Sequence, residues 1–159
     1  MNERRMERII NNIVGDAIVK EVMNLNLAVK LIEVVEEKAI EMGMRVVIAV
    51  SDASGRPIAV HCMDGAYHGS FDVALNKTYT STAFQMPTAK LARLCAPGGE
   101  LYGLQFSNDG KVMILGGGEP LMVGKTMIGA LGVSGGSAAQ DSELAAYGAS
   151  ALKEVIKCL

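Results

Sequence analysis

The chain reads as an α+β protein, an antiparallel sheet of about five strands with helices packed on it. Three observations predict this: apolar residues recur at helical spacing near both ends, β-rich runs occur in the middle, and those runs are joined by glycine-centred turns rather than by crossover helices. At 159 residues, half of them hydrophobic, the chain suits one domain with an ample core.

The first helix is expected over residues 1–22. Met6, Ile9, Ile10, Ile13, Val14, Ala17 and Ile18 form one apolar stripe, with Glu3, Arg4, Arg5, Glu7, Arg8, Asn11, Asn12 and Asp16 opposite. A boundary falls near Val22 to Asn24, so that residues 23–159 form the body. A second helix spans Asn26 to Met42, with Gly43 as its stop. Met44 to Val50 and Pro57 to Met63 read as two strands joined by the turn Ser51-Asp52-Ala53-Ser54-Gly55, where the Asp52 side chain can fix the turn. Ser70 is the expected N-cap of a helix carrying Phe71, Ala74, Leu75, Thr78 and Thr82 on one side. Pro87 and Pro97-Gly98-Gly99 bracket a short helix, Glu100 to Asn108 reads as irregular, and Lys111 to Leu115 as a strand. Leu121-Met122-Val123 and Met127 to Val133 follow as a hairpin turned by Gly124-Lys125. Asp141 to Leu159 closes the chain as a helix.

That hairpin region imitates two catalytic motifs and satisfies neither. Gly124-Lys125-Thr126 ends like a phosphate-binding loop, but the required first glycine is Glu119, and Pro120 removes a backbone donor. Gly132-Val133-Ser134-Gly135-Gly136 spells a nucleophile elbow, yet no histidine follows Ser134.

Bulk properties narrow the function classes. A net charge of -2 with no basic stripe argues against a nucleic-acid partner. Three widely spaced cysteines, Cys62, Cys95 and Cys158, point to reduced thiols in the cytoplasm rather than a disulfide framework. No apolar run approaches a membrane span, and acidic residues near the N-terminus break a signal-peptide pattern.

The body from Leu25 onward resembles the GlcG/HbpS-like haem-binding family, seen also as the C-terminal half of PduO-type adenosyltransferases. The matching segments, in order, are Ser51-Asp52-Ala53-Ser54-Gly55, Met63-Asp64-Gly65-Ala66, Ala74 to Lys77, Met86-Pro87-Thr88, Gly116 to Pro120, Ile128 to Gly136 and Asp141. The resemblance implies a profilin-like fold, self-association into a homo-oligomer, and binding of haem or a related tetrapyrrole. One departure is that many relatives carry Arg before Met-Asp-Gly, whereas here the segment reads His61-Cys62-Met63-Asp64.

Candidate chemistry gathers in that segment. His61, Cys62, Met63, Asp64 and His68 place two imidazoles, a thiol, a thioether and a carboxylate close together, and all but the carboxylate are ligand types found on haem iron. Strand alternation puts His61 and Cys62 on opposite faces, so they cannot share one metal without a bulge. His68, on the loop before a helix, is the favoured axial ligand; the plainer alternative makes His61 and His68 ordinary strand and loop residues and Cys62 a small core hydrophobe. Lys77 is expected to meet a propionate or phosphate, or else to be a solvated helix lysine. Gly65, Gly117 and Gly118 allow close backbone approach to a ligand, and Asp141 reads as a helix-start carboxylate. Two competing functions stay open: a small-molecule enzyme using Asp64, Lys77 and His68 for acid/base work, and a non-catalytic structural oligomer. The N-terminal helix resembles the encapsulation peptides of bacterial microcompartments, which implies shell or core proteins as partners; the alternative is packing on its own domain or a neighbouring subunit.

Overall fold

The structure, a computed structural model, describes Met6 and residues 22–159. The amphipathic helix expected over residues 1–22 therefore lies almost wholly outside the described residues. Helix α1 (Leu25–Glu41) starts where Asn24, in extended conformation, accepts the Leu27 N–H on its side chain at 3.0 Å. It stops at Gly43, whose φ of +67° lets its own N–H reach Ile40 O and the Met44 N–H reach Ala39 O, the two bonds of a Schellman cap.

Strands β1 (Val47–Asp52) and β2 (Pro57–Cys62) form the expected hairpin. Asp52 holds its turn, accepting the N–H groups of Ser54 and Arg56 at 2.9 and 3.0 Å. Helix α2 (Ser70–Phe84) follows, then α3 (Thr88–Leu94), two short 3₁₀ turns, β3 (Gly118–Val123), β4 (Thr126–Ser134) and α4 (Ala138–Lys157). Gly124, at φ +59°, and Lys125 turn the β3–β4 hairpin, with Val123 paired to Thr126.

All pairings are antiparallel, in the order β2-β1-β4-β3. The sheet has four strands, not about five. Lys111 to Leu115 does not join the sheet, and two of its backbone groups meet α2 instead: the Thr80 hydroxyl accepts the Met113 N–H at 2.8 Å and lies 3.3 Å from Lys111 O. Val112 is instead buried against Leu91 and Cys95 in a satellite core beneath α3.

Helices α1 and α4 cover one face of the sheet, where Leu27, Leu31, Val35, Leu144 and Leu152 meet Ile48, Val50, Leu131 and Val133. Helix α2 covers the other, over Val47 and Ala49. A side chain at Gly132 would run into the α2 backbone at Ala74, so this strand glycine sets how closely the helix sits. Central strand β1 is buried on both faces and reads as a continuous apolar run for that reason.

Two local expectations change. Ser70 is the first residue of α2 rather than its cap; Gly69 precedes it with no side-chain cap bond. Phe71, expected on the buried side of that helix, is 42% exposed.

Candidate functional site

Strand β2 delivers the loop 64–69 at the sheet edge. Its first turn closes with the Ala66 N–H bonded to Met63 O at 3.0 Å around Gly65, whose φ is +84°. A Cβ at Gly65 would meet only Arg45 Cγ, at 3.8 Å, so backbone conformation rather than crowding calls for glycine there. The chain then winds directly into α2, with Ser70 N–H bonded to Tyr67 O and Phe71 N–H to His68 O. His68 is exposed, as are its neighbours Tyr67 (74%) and Phe71. An imidazole thus stands in a short stretch that also presents two aromatic side chains to solvent.

His61 and Cys62 do lie on opposite faces. His61 pairs with Ile48 on the α1 side, and its Nδ1 is 3.0 Å from Glu36 Oε1. Cys62 pairs with Val47 on the α2 side and is exposed. Between α1 and the loop a cleft of about 410 Å³ is lined by Glu36, Ile40, Arg45, Met63 and Asp64. Glu36 therefore links His61 to the cleft that Asp64 lines, while Gly65 and His68 continue along the same loop.

Lys77, Gly117 and Gly118 are elsewhere, in the interior. The Lys77 side chain is 1% exposed; its Nζ donates to Val133 O at 2.6 Å and to Asp141 Oδ2 at 2.8 Å. Asp141, in the first turn of α4, accepts the Gly136 N–H on its other oxygen at 2.8 Å. Gly117 O accepts from Val133 N–H at 2.8 Å, and a Cβ on Gly117 would stand 2.6 Å from Val133 O, 2.7 Å from Asp141 Cβ and 2.9 Å from Lys77 Nζ. Gly118 would collide likewise with Thr88 and with Lys77 O. The close approach these glycines permit is made by protein. Lys77 accordingly offers no exposed amine to a propionate or phosphate, and it does not join Asp64 and His68 in a shared acid/base arrangement. Desolvation pushes the Lys77 amine below its ordinary pKa, opposed by the hydrogen bond and charge of Asp141.

Sequence reasoning passed over two carboxylates. Glu36 is paired to His61 across 25 positions, a partnership invisible locally. Glu119 on edge strand β3 is half-buried, and that burial pushes its carboxyl up to about 6.

A four-stranded antiparallel sheet with helices on both faces defines the architectural class, an α+β fold. Residues 23–150 match the family described as haem degrading protein HbpS-like, and the chain belongs to that family. It is 40% identical over 123 residues, 77% of this chain and 87% of the relative, to an uncharacterised 15.0 kDa protein of the dhaT-dhaS intergenic region of Citrobacter freundii. It is 37% identical over 109 residues to the corrinoid adenosyltransferase PduO of Salmonella typhimurium, where the match covers 69% of this chain and 32% of that protein. This chain thus corresponds to about a third of PduO. Among solved structures, the Klebsiella pneumoniae protein ORFY superposes with a TM-score of 0.80 at 35% identity, covering 82% of this chain and 90% of that one. A PduOC–haem complex gives 0.78 at 32% identity, covering 82% and 94%, and HbpS gives 0.75 at 28%, covering 82% and 90%.

Proposed function

We propose that this chain binds haem or a related tetrapyrrole at the loop 64–69 and the start of α2, with His68 as the axial ligand. The observation that carries the reading is the exposed His68 imidazole in the same short stretch as the exposed rings of Tyr67 and Phe71. A porphyrin needs a nitrogen donor for its iron and apolar surface for its faces, and these residues fit both needs. Arg45, against Gly65 and on the wall of the neighbouring cleft, is the cation placed to meet a carboxylate of the ligand. His61 is half-buried on its strand with Glu36 on its Nδ1, whereas His68 is exposed, and this greater access favours His68 as the donor. Bound haem would supply the iron centre; the chain's part is to bind and orient it, and we assign no reaction.

Family membership and the relative solved as a haem complex support the ligand class. Likeness to part of PduO supports a finer reading, an accessory protein associated with a bacterial microcompartment; we further propose, on the sequence alone, that it acts as a homo-oligomer and that residues 1–22 direct it there. Titration of the purified chain with haemin tests the ligand class. We expect a sharp Soret band that saturates at a fixed ratio of haem to chain, whereas a broad, unsaturable spectrum identical to free haemin would refute binding and favour a purely structural oligomer.

A further inference from the structure

Helices α1 and α4 lie side by side on the outer face and leave a groove of about 460 Å³ between them. Val34, Ala151 and Val155, buried or half-buried, form its apolar base, and the exposed carboxylates of Glu33, Glu37 and Glu154 stand along it. Tyr147, 40% exposed, contributes its ring. Among the described residues nothing covers this groove. We propose that it is the docking site for the N-terminal segment of the same chain, residues 6–18.

Six observations select this occupant. The segment carries an apolar stripe, Ile9, Ile10, Ile13, Val14 and Ala17, that needs a partner surface if it is helical. The stripe from Met6 to Ile18 would span ~18 Å as a helix, within the ~25 Å of α1 at 1.5 Å per residue. The junction lies at the right place: Met23 is 3% exposed and anchors the chain immediately before α1, at the end of that helix nearest Lys30. Residues 19–24 reach up to ~20 Å when extended, enough to reverse direction and lay the segment back along the groove. A reversed segment would also bring Arg4, Arg5 and Arg8 toward Glu33 and Glu37 on the later turns of α1, opposite charges facing along the length. The family match begins at residue 23, so the segment is an addition to what the family defines. Docking in this way would shield the stripe in the free protein, and any partner that recognises the stripe must displace it.

Hydrogen exchange on the full chain, read by mass spectrometry over a wide range of protein concentration, tests the proposal. We expect amides of residues 9–18 to exchange about tenfold or more slowly than in the double variant Ile10→Glu/Ile13→Glu, with the same protection at every concentration. The groove variant Ala151→Glu should release the segment as fully as the segment variant does, while the exchange of β1 and β4 stays unchanged in both, showing that the body remains folded. Equal exchange in the wild type and Ile10→Glu/Ile13→Glu would overturn the proposal. Protection that appears only as concentration rises would overturn it too, because the occupant would then be a second copy. The haemin spectrum of the segment variant should match the wild type, so the outcome is independent of the tetrapyrrole reading.

Discussion

Asp141→Asn removes the charge that faces Lys77 while leaving an oxygen to accept the Gly136 N–H. In the native protein Lys77 and Asp141 are 1% and 3% exposed, so water cannot take over as partner. Breaking a buried ion pair by removing one member costs about 3–5 kcal/mol, since the remaining charge is desolvated with only the Val133 carbonyl beside it. For a chain of this size that corresponds to a fall of roughly 6–20 °C in Tm. The loss should depend on pH with a definite sign. Burial already holds the Lys77 amine below its ordinary value of 10.5, and without Asp141 it falls further. The native state then binds this proton less tightly than the unfolded chain, so the cost is fully present below the folded pKa and is relieved as pH rises toward 10.5. Denaturant unfolding at neutral and alkaline pH should therefore show the variant's deficit shrinking at the higher pH. The double variant Lys77→Met/Asp141→Asn, with no charge left to strand, should recover to within about 1–2 kcal/mol of wild type. A single-variant deficit under about 1 kcal/mol at neutral pH, or a double variant worse than the single, would refute the assignment of this pair as the link between α2, β4 and α4.

Two further perturbations separate burial from backbone effects. Glu119 has its folded pKa raised from 4.5 to about 6 by burial, so its contribution is present below pH 4.5 and lost as pH rises through about 6; Glu119→Gln should be more stable than wild type at pH 7 by up to about 2 kcal/mol, with the difference vanishing below pH 4.5 in parallel urea titrations. Gly117→Ala, at φ +113° and with Val133 O and Asp141 Cβ inside 3.0 Å of the new methyl, should cost about 3 kcal/mol, whereas Gly65→Ala makes only an ordinary contact with Arg45 Cγ at 3.8 Å and should cost about 1 kcal/mol from its positive φ alone; equal shifts in urea midpoint would contradict this division.

Where a signal was local, the sequence carried it. Gly43 stops α1, Asp52 organises the β1–β2 turn, and Gly124-Lys125 turns the β3–β4 hairpin, each through bonds within a few residues; the Asn24 cap that starts α1 is just as local but went unread, the helix being expected from Asn26. The capping box that starts α4, in which Ser137 and Gln140 exchange side-chain bonds, was equally local, yet the helix was expected to begin three residues later, at Asp141. Misreadings came from long-range satisfaction of polar groups. Lys111 to Leu115 has the composition of a strand, but its Met113 N–H and Lys111 carbonyl meet Thr80, over thirty positions upstream. Lys77 looks like a solvated helix lysine until Asp141, 64 positions away, is brought beside it. The candidate site divides in the same way: Asp64, Gly65 and His68 share one legible loop, whereas Glu36 enters through a pairing with His61 that only the tertiary arrangement creates.

The most direct measurement is the Soret spectrum of haemin-titrated His68→Ala beside His61→Ala and wild type. If His68 donates the axial nitrogen, His68→Ala loses or shifts the band and weakens binding, while His61→Ala, on the half-buried strand rather than the exposed loop, keeps the wild-type spectrum. An unchanged band in His68→Ala together with a lost band in His61→Ala would move the haem to the cleft beside Glu36 and contradict the assignment to the loop.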